Sequence, residues 1–174
     1  MAFDAFVKVA APKMVAGEST DETHKGWIEA LSFDWGLTQG ASPLADASGQ
    51  PPTRPDFRDF RITKLVDSSS SELYKLCASG KTLTYVILEV CEAGGEKVPY
   101  FILEFRCATV SSVEPSGAAT KAAQGGNAEP PRPVETVTFR YSEAVWKYIP
   151  VGHEGKVAAT HSGGWDLKKN APTI

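Results

Sequence analysis

The stretch that decides the fold runs from Asp56 to Cys107 and reads DFRDFRITKLVDSSSSELYKLCASGKTLTYVILEVCEAGGEKVPYFILEFRC. It predicts a strand, a short helix and two further strands. The first strand spans Arg58–Val66. The second, Thr82–Cys91, is rich in β-branched residues, and the third, Tyr100–Cys107, returns after a turn that contains two glycines. This order is typical of a β-rich protein that carries one helix between strands.

Apolar residues alternate with polar ones in the first and third of these strands. The sets that share a face are Phe60, Ile62 and Val66 in the first strand, and Phe101, Leu103, Phe105 and Cys107 in the third. Glu104 and Arg106 lie on the opposite face. A period of two predicts a sheet with one buried side.

The predicted helix has its own start and stop signals. Ser69 stands three residues before Glu72, which is the spacing of a capping box. Leu73 and Leu76, with the neighbouring Cys77, then form a narrow apolar stripe at helical spacing. Gly80 can adopt the left-handed conformation that ends a helix.

Length and composition set the class of protein. The chain has 174 residues, enough for one domain with a real core, and its 12 prolines and 15 glycines favour many turns. A net charge of −3 argues against a nucleic-acid-binding protein, which is usually basic. Cys77, Cys91 and Cys107 lie in apolar patterns, and we expect small buried thiols rather than a disulfide.

No targeting or membrane segment is expected. The first residues, MAFDAFVKVAAPK, carry Asp4 and lack an unbroken apolar core, so they do not resemble a secretory signal peptide. No run of about 18 apolar residues is present, which predicts that the chain has no membrane span.

The segment Trp27–Leu37 (WIEALSFDWGL) predicts a single strand with two different faces. Its apolar face would consist of Leu31, Phe33, Trp35 and Leu37, and its small polar face of Ala30, Ser32 and Asp34. One face would pack on the core, and the other would meet water or a partner.

Further strands are predicted at Phe3–Val9, Thr109–Val113, Val134–Tyr141, Ala144–Ile149 and Trp165–Leu167, with a hairpin across Ser142 and Glu143. Two long loops interrupt them, Thr38–Pro55 and Ser116–Pro133. About seven or eight strands joined by turns favour antiparallel pairing. We therefore expect a mainly β fold, an antiparallel β-barrel of two packed sheets with one short α-helix, since closure removes exposed strand edges.

Signs of enzymatic chemistry are sparse. No nucleophile-elbow, zinc-protease, P-loop or dinucleotide-binding motif is present, and His24, His153 and His161 all fall in predicted loops. Asp21, Glu22 and His24 leave a metal site open as an alternative, as do His153, Glu154 and His161. We expect solvated loop side chains in both places, and therefore no cofactor, no metal and no catalytic residue.

Several motifs, in order along nearly the whole chain, resemble the haemolysin co-regulated protein (Hcp) family, the tube subunits of type VI secretion systems. They are AFDAFVKV (2–9), GEST-D-x-x-H-K-x-W-I-E-x-L-S-F-x-W-G (17–36), F-x-x-T-K-x-V-D (60–67), C-A-S-G-K (77–81), A-G-G-E (93–96), V-S-S-V (110–113) and G-G-W-D-L-K (163–168). The loops at 38–55 and 116–133 depart from the family.

The resemblance implies a single domain over residues 1–174, a β-barrel with one helix, without a C-terminal toxin extension. It also implies six-membered rings that stack into a tube, with a sheath, a spike and small effector proteins as partners. Such a protein would assemble in the bacterial cytoplasm and be expelled by the apparatus, which agrees with the lack of a signal peptide. Phage tail-tube proteins are similar in fold.

Two hypotheses follow for individual residues. Ala30, Ser32 and Asp34 would line the lumen and contact effectors. The loop Thr38–Pro55 would reach the next ring, through Gln39, Leu44, Gln50 and Thr53. A monomeric β-barrel module that binds a small ligand or sugar is the alternative function, and it would show a concave pocket with convergent polar groups.

Overall fold

A computed structural model of the chain describes residues 3–40, 54–93, 97–117, 132–150 and 159–174. Twelve strands and one helix lie within these ranges. In order they are β1 (Phe3–Ala10), β2 (Ile28–Ala30), β3 (Ser32–Asp34), β4 (Leu37–Thr38), β5 (Asp56–Phe57), β6 (Phe60–Leu65), α1 (Ser70–Ser79), β7 (Leu83–Glu92), β8 (Pro99–Ser116), β9 (Val134–Arg140), β10 (Glu143–Tyr148), β11 (His161–Asp166) and β12 (Ala171–Pro172).

Two antiparallel sheets share the long strand β8. Sheet A has the order β12-β11-β10-β8-β7-β1-β2, and sheet B has the order β3-β6-β9-β8. Strands β4 and β5 form a separate two-stranded ribbon. The mainly β, antiparallel architecture with one short helix is confirmed. The expected hairpin between β9 and β10 is wrong, because each of these strands pairs with β8 instead.

Within the described ranges the sheets do not close into a barrel. Sheet A ends at β2 and sheet B ends at β3, and no ladder joins β2 to β6 there. The two edges approach where the Leu31 N–H donates to the Thr63 carbonyl at 2.8 Å. The expected closed barrel is therefore not confirmed.

Strand β8 passes from one sheet to the other at Cys107. This residue has a positive φ of 49°, which is uncommon for a residue with a side chain. The alternation of faces shifts there, so Phe105 and Ala108 are both buried and Cys107 is exposed. The prediction that Cys107 is buried is wrong, whereas Cys91 is buried and all three cysteines are free. Burial raises the pKa of the Cys91 thiol to about 11.

The core lies between the inner faces of the two sheets. Phe60 and Phe139 of sheet B and Phe105 of β8 are fully buried, and the Phe60 ring stacks on Phe105 at 4.5 Å between centroids. Leu88 and Leu103 of sheet A pack into the same cluster. These aromatic contacts hold the two sheets together. The stacked rings add to the stabilisation that comes from burying their apolar surface.

Helix α1 packs Leu73 and Leu76 on this core, and Gly80 ends it with φ 60° as expected. The predicted capping box of Ser69 and Glu72 is wrong. Ser69 already has helical backbone angles, and its hydroxyl donates to Asp67 rather than capping a helix N–H. Asp67 stabilises the turn before the helix instead: its Oδ1 accepts the Ser69 N–H at 2.9 Å, and Ser70 Oγ accepts the Asp67 N–H at 3.0 Å.

A buried ion pair ties the helix to sheet B. The Lys64 Nζ lies 2.7 Å from Glu135 Oε1 and 2.7 Å from Asp67 Oδ1, and the side chains of Lys64 and Glu135 are both 0% exposed. Ser70 and Tyr74 on the helix donate to the two oxygens of Glu135. The buried charges of Lys64 and Glu135 are thereby paired and hydrogen-bonded, as burial of ions requires. No described helix is long and apolar enough to cross a membrane.

Candidate assembly and cargo surfaces

The segment expected to form one strand is broken at Leu31. Strand β2 pairs with β1 in sheet A, and β3 pairs with β6 in sheet B, so the chain changes sheets at this residue. Leu31 is 56% exposed, and Leu37 is exposed too, which contradicts their predicted place on the apolar face. Phe33 and Trp35 do pack on the core as predicted.

The break separates the three residues proposed for the lumen. Ala30 packs toward the core opposite Ala5, whereas Ser32 and Asp34 point outward from sheet B and are exposed. Asp34 lies 3.4 Å from the guanidinium of Arg58. The small polar face therefore contains Ser32 and Asp34 but not Ala30, because the alternation shifts by one residue at the break.

Apolar side chains are exposed around this break. Phe3 is 43% exposed and Leu65 is 38% exposed, and both flank Leu31. Leu31 lines two open grooves of about 410 and 270 Å³, the first shared with Phe3 and the second with Leu65. Glu29 lies in both grooves. Contiguous exposed apolar side chains are typical of surfaces that meet another protein.

The first groove has an ion pair at its rim. The ammonium of Lys97 contacts the carboxylate of Asp4, and this hydrogen bond raises the pKa of Lys97. Both groups are accessible to solvent, so the pair orients the rim but contributes little to stability. The groove thus combines an apolar floor with charged edges.

The ribbon of β4 and β5 flanks the segment that was predicted as the loop Thr38–Pro55. Leu37 pairs with Phe57, and Thr38 pairs with Asp56, so the two ends of the loop are held side by side. Gln39, just beyond the ribbon, is exposed. Leu44, Gln50 and Thr53, the other residues proposed for ring stacking, lie outside the described residues.

The ribbon also contacts the C-terminal strands. Arg54 donates a hydrogen bond to the carbonyl of Leu167. An open groove of about 350 Å³ lies between Pro55 and Phe57 on one side and Trp165 on the other. The base of the proposed stacking loop therefore contacts the segment between β11 and β12, while the proposed lumen residues Ser32 and Asp34 lie on β3 and Ala30 lies on β2.

His24 is buried, which corrects the expectation of a solvated loop. Its Nδ1 lies 2.8 Å from Asp21 Oδ1, and its Nε2 lies 2.9 Å from Glu89 Oε2 on β7. The ring stacks on Phe6 at 4.1 Å. The hydrogen bond from His24 lowers the pKa of Asp21, with the backbone and Thr23 adding to the effect. The D-x-x-H part of the motif thus binds its loop to the outer face of sheet A.

Within the described ranges, no group of three or more His, Cys, Asp or Glu residues is arranged to hold a metal ion. Glu22 is exposed and does not join Asp21 and His24. His161 begins strand β11 rather than lying in a loop, and it is exposed. His153 and Glu154 lie outside the described residues.

Sequence reasoning missed the buried pair of Lys64 and Glu135. A signal was present, because Lys64 continues the inward series of Phe60 and Ile62 at a spacing of two residues. It also missed that Thr63 lies opposite Ser32, since this follows from strand register and not from the local pattern.

These surfaces define a class of protein. A mainly β subunit with open sheet edges and exposed apolar side chains beside them is typical of proteins that assemble with other chains. The comparisons with known proteins name the family. Residues 6–148 match the family model described as "Type VI secretion system effector, Hcp". The chain belongs to the Hcp family of the type VI secretion system.

Individual relatives agree with this assignment. The chain is 31% identical to the protein named "Protein hcp1" of Pseudomonas aeruginosa over 172 residues, covering 98% of each chain. It is similar to a solved structure titled "Structure of a type six secretion system protein", with a TM-score of 0.84, 33% identity, and coverage of 99% of this chain and 100% of that one. Hcp1 from Salmonella typhimurium follows with a TM-score of 0.73, 28% identity and 99% coverage of both chains.

Proposed function

We propose that this chain is the tube subunit of a type VI secretion system. It would form hexameric rings that stack into the expelled inner tube and carry small effectors in the lumen. The match to the Hcp family model across residues 6–148 carries the proposal. The subunit would have a structural role and no catalytic one. It would assemble in the bacterial cytoplasm and leave the cell with the tube, in contact with sheath, spike and effector proteins.

The open sheet margin supports assembly. Strands β2 and β3 each pair on one side only among the described residues, and Leu31 is exposed between them. Unpaired edges with apolar side chains are usually covered in the functional state. A neighbouring copy that covers them through a heterologous contact would generate a ring when the rotation closes.

Light scattering tests the ring directly. The purified chain should have the mass of about six chains, and a monomeric mass at every concentration would refute the proposal. A monomer would instead favour the ligand- or sugar-binding alternative. Electron micrographs should show rings viewed along their axis, and tubes when the rings stack. A related tail-tube-like protein would give similar images, so the family assignment distinguishes those two functions.

The loop held by β4 and β5 is the proposed stacking contact. Deletion of residues Gln39–Thr53, with a short glycine-serine bridge across the ribbon, should leave the ring mass unchanged and abolish tubes. The ribbon itself would remain, because Leu37 and Phe57 are outside the deletion. Normal tubes from this variant would contradict the role of the loop.

Ser32 and Asp34 are the proposed lumen contacts. Ser32→Gln or Asp34→Arg should preserve the ring mass and reduce the amount of a cognate effector that co-purifies with it. Thr84→Gln is the matched control, because Thr84 is exposed on β7 of sheet A. Effector retention that is equal in the Ser32 and Thr84 variants would show that Ser32 does not face the cargo. Ala30, which packs inward, should tolerate serine with no effect on retention.

A further inference from the structure

The ribbon of β4 and β5 continues the pairing of β3 with β6, but its register is shifted. Asp34 lies opposite Arg61, and Leu37 lies opposite Phe57. Two residues separate these paired positions on one strand, and three residues separate them on the other. An extra residue on one strand bends the backbone and disrupts the local ladder, as in a β-bulge. The direction of the ribbon is thus set at this bend between the two pairs.

One hydroxyl group connects the two strands at the bend. The Tyr141 hydroxyl accepts the indole N–H of Trp35 at 2.7 Å and donates to the backbone carbonyl of Arg58 at 2.8 Å. Trp35 precedes β4, and Arg58 follows β5. Tyr141 belongs to neither strand of the ribbon, because it follows β9. Its hydroxyl therefore ties both sides of the bend to a third segment of the chain.

The core holds this hydroxyl in place. The Tyr141 ring packs on Phe105 at 4.6 Å between centroids, and the Trp35 ring lies 5.8 Å from the same Phe105, which is fully buried. Burial raises the pKa of Tyr141 to about 12, against the opposing effect of the Trp35 hydrogen bond. The hydroxyl thus keeps the proton that it donates to Arg58 at neutral pH.

We propose that Tyr141 is a positioning residue for ring stacking. Its hydroxyl, with Trp35 and Arg58, forms a clamp that fixes the direction of the ribbon, so that the loop it carries meets the next ring. The inference rests on the proposed tube function. Without the clamp the ribbon would adopt several directions, and the apparent affinity between rings would fall by the fraction that points correctly. None of the three clamp residues lines the two grooves beside Leu31, so ring formation itself should not depend on them.

Tyr141→Phe tests the hydroxyl alone, because phenylalanine keeps the packing on Phe105. The ring mass in light scattering should be unchanged. The ring concentration at which half of the protein sediments as tubes should rise by about tenfold, the factor that corresponds to loss of one hydrogen bond. Hydrogen exchange at the Arg58 amide, which donates to the Gly36 carbonyl at 3.0 Å, should become faster by about the same factor, with no change in the amides of β7. Trp35→Phe removes the indole donor and should have the same effects.

Two controls separate positioning from stability. Tyr85→Phe removes another half-buried tyrosine hydroxyl, on β7 of sheet A, and should leave the tubes and the exchange at Arg58 unchanged. Val86→Ala destabilises the core without touching the clamp, and its rings should still stack like the wild type. Normal tubes from Tyr141→Phe and Trp35→Phe, or equal losses of tubes in Tyr141→Phe and Val86→Ala, would overturn the clamp.

The loop deletion and the wild type separate the levels of the inference. Tubes that are lost on deletion of Gln39–Thr53 but form normally in Tyr141→Phe refute the clamp alone. Normal tubes from the deletion refute the role of the loop and the clamp with it. A wild-type chain that forms no tubes refutes the proposed function itself.

Discussion

Replacing Lys64 by methionine should destabilise the subunit far more than a surface substitution does. The Lys64 ammonium is fully buried and contacts Glu135, Asp67 and the hydroxyl of Ser70. Methionine keeps most of the side-chain volume, so little packing is lost. The Glu135 carboxylate, however, would remain in the interior with only the hydroxyl donors of Ser70 and Tyr74.

The expected magnitude follows from this uncompensated charge. Breaking a buried ion pair by removing one partner costs about 3–5 kcal/mol. For a chain of this length, that loss lowers the melting temperature by about 10 °C. The double variant Lys64→Met/Glu135→Leu removes both charges, so it should be less destabilised than the sum of the single variants by about 1–3 kcal/mol.

Chemical denaturation at one fixed protein concentration measures these differences, since assembly makes apparent stability depend on concentration. Lys75→Met is the control. Lys75 is 74% exposed and lies 3.5 Å from Glu72 on the same helix, so its loss should cost about 0.5 kcal/mol or less. A loss below about 1 kcal/mol for Lys64→Met, or strict additivity in the double variant, would refute the reasoning.

Three further predictions concern other parts of the molecule. Leu31→Glu should shift rings toward single chains in light scattering, because it places a charge in the exposed apolar margin, whereas unchanged ring mass would exclude this margin from the subunit contact. His24→Phe should keep the stacking on Phe6 but leave two carboxylates unmatched, with a loss of about 2 kcal/mol in denaturation, and a neutral result would contradict the bridging role. The pKa of Asp21 is lowered in the folded state, so its ionised form stabilises the fold above about pH 4. This contribution to the free energy of unfolding is lost as the pH falls further. Asp21→Asn should therefore flatten that part of the curve of stability against pH.

Much of the fold could be predicted because alternation is a local signal. Strand β7 was expected from its β-branched residues, and β8 and β9 from residues that alternate between a buried and a solvent-facing side, and the structure confirms all three strands. The end of α1 was equally local, since Gly80 needs no distant partner to adopt a positive φ. These features depend on a few consecutive residues, which the sequence displays directly.

The breaks in alternation could not be predicted in this way. Leu31 and Cys107 each mark the point where the chain leaves one sheet and enters the other, and the sequence around both continues its apolar pattern. A shift of one residue at such a point moves every following side chain to the other face. The position of the shift is set by pairing with distant strands, so Ala30 and Cys107 were both assigned to the wrong side.

The residues of the candidate surfaces also fall into two groups, those that the local sequence predicts and those that depend on pairing with distant strands. Ser32 and Asp34 could be assigned outward from their own strand, and the structure agrees. Their neighbours could not, because Thr63 is brought beside Ser32 only by the register of β3 against β6. The Lys64–Glu135 pair joins residues 71 positions apart, which no local spacing reveals. The Hcp resemblance, by contrast, was carried by motifs along the whole chain and is confirmed.

Strand β8 gives the subunit a mechanical property. Its first half is hydrogen-bonded to β7 and β10, and its second half to β9, so a load on either sheet passes along one continuous backbone into the other. Neither sheet can separate from the other unless β8 breaks its hydrogen bonds to the strands of one of them. In the proposed tube, a force along the tube axis would therefore be distributed over both sheets of each subunit through β8.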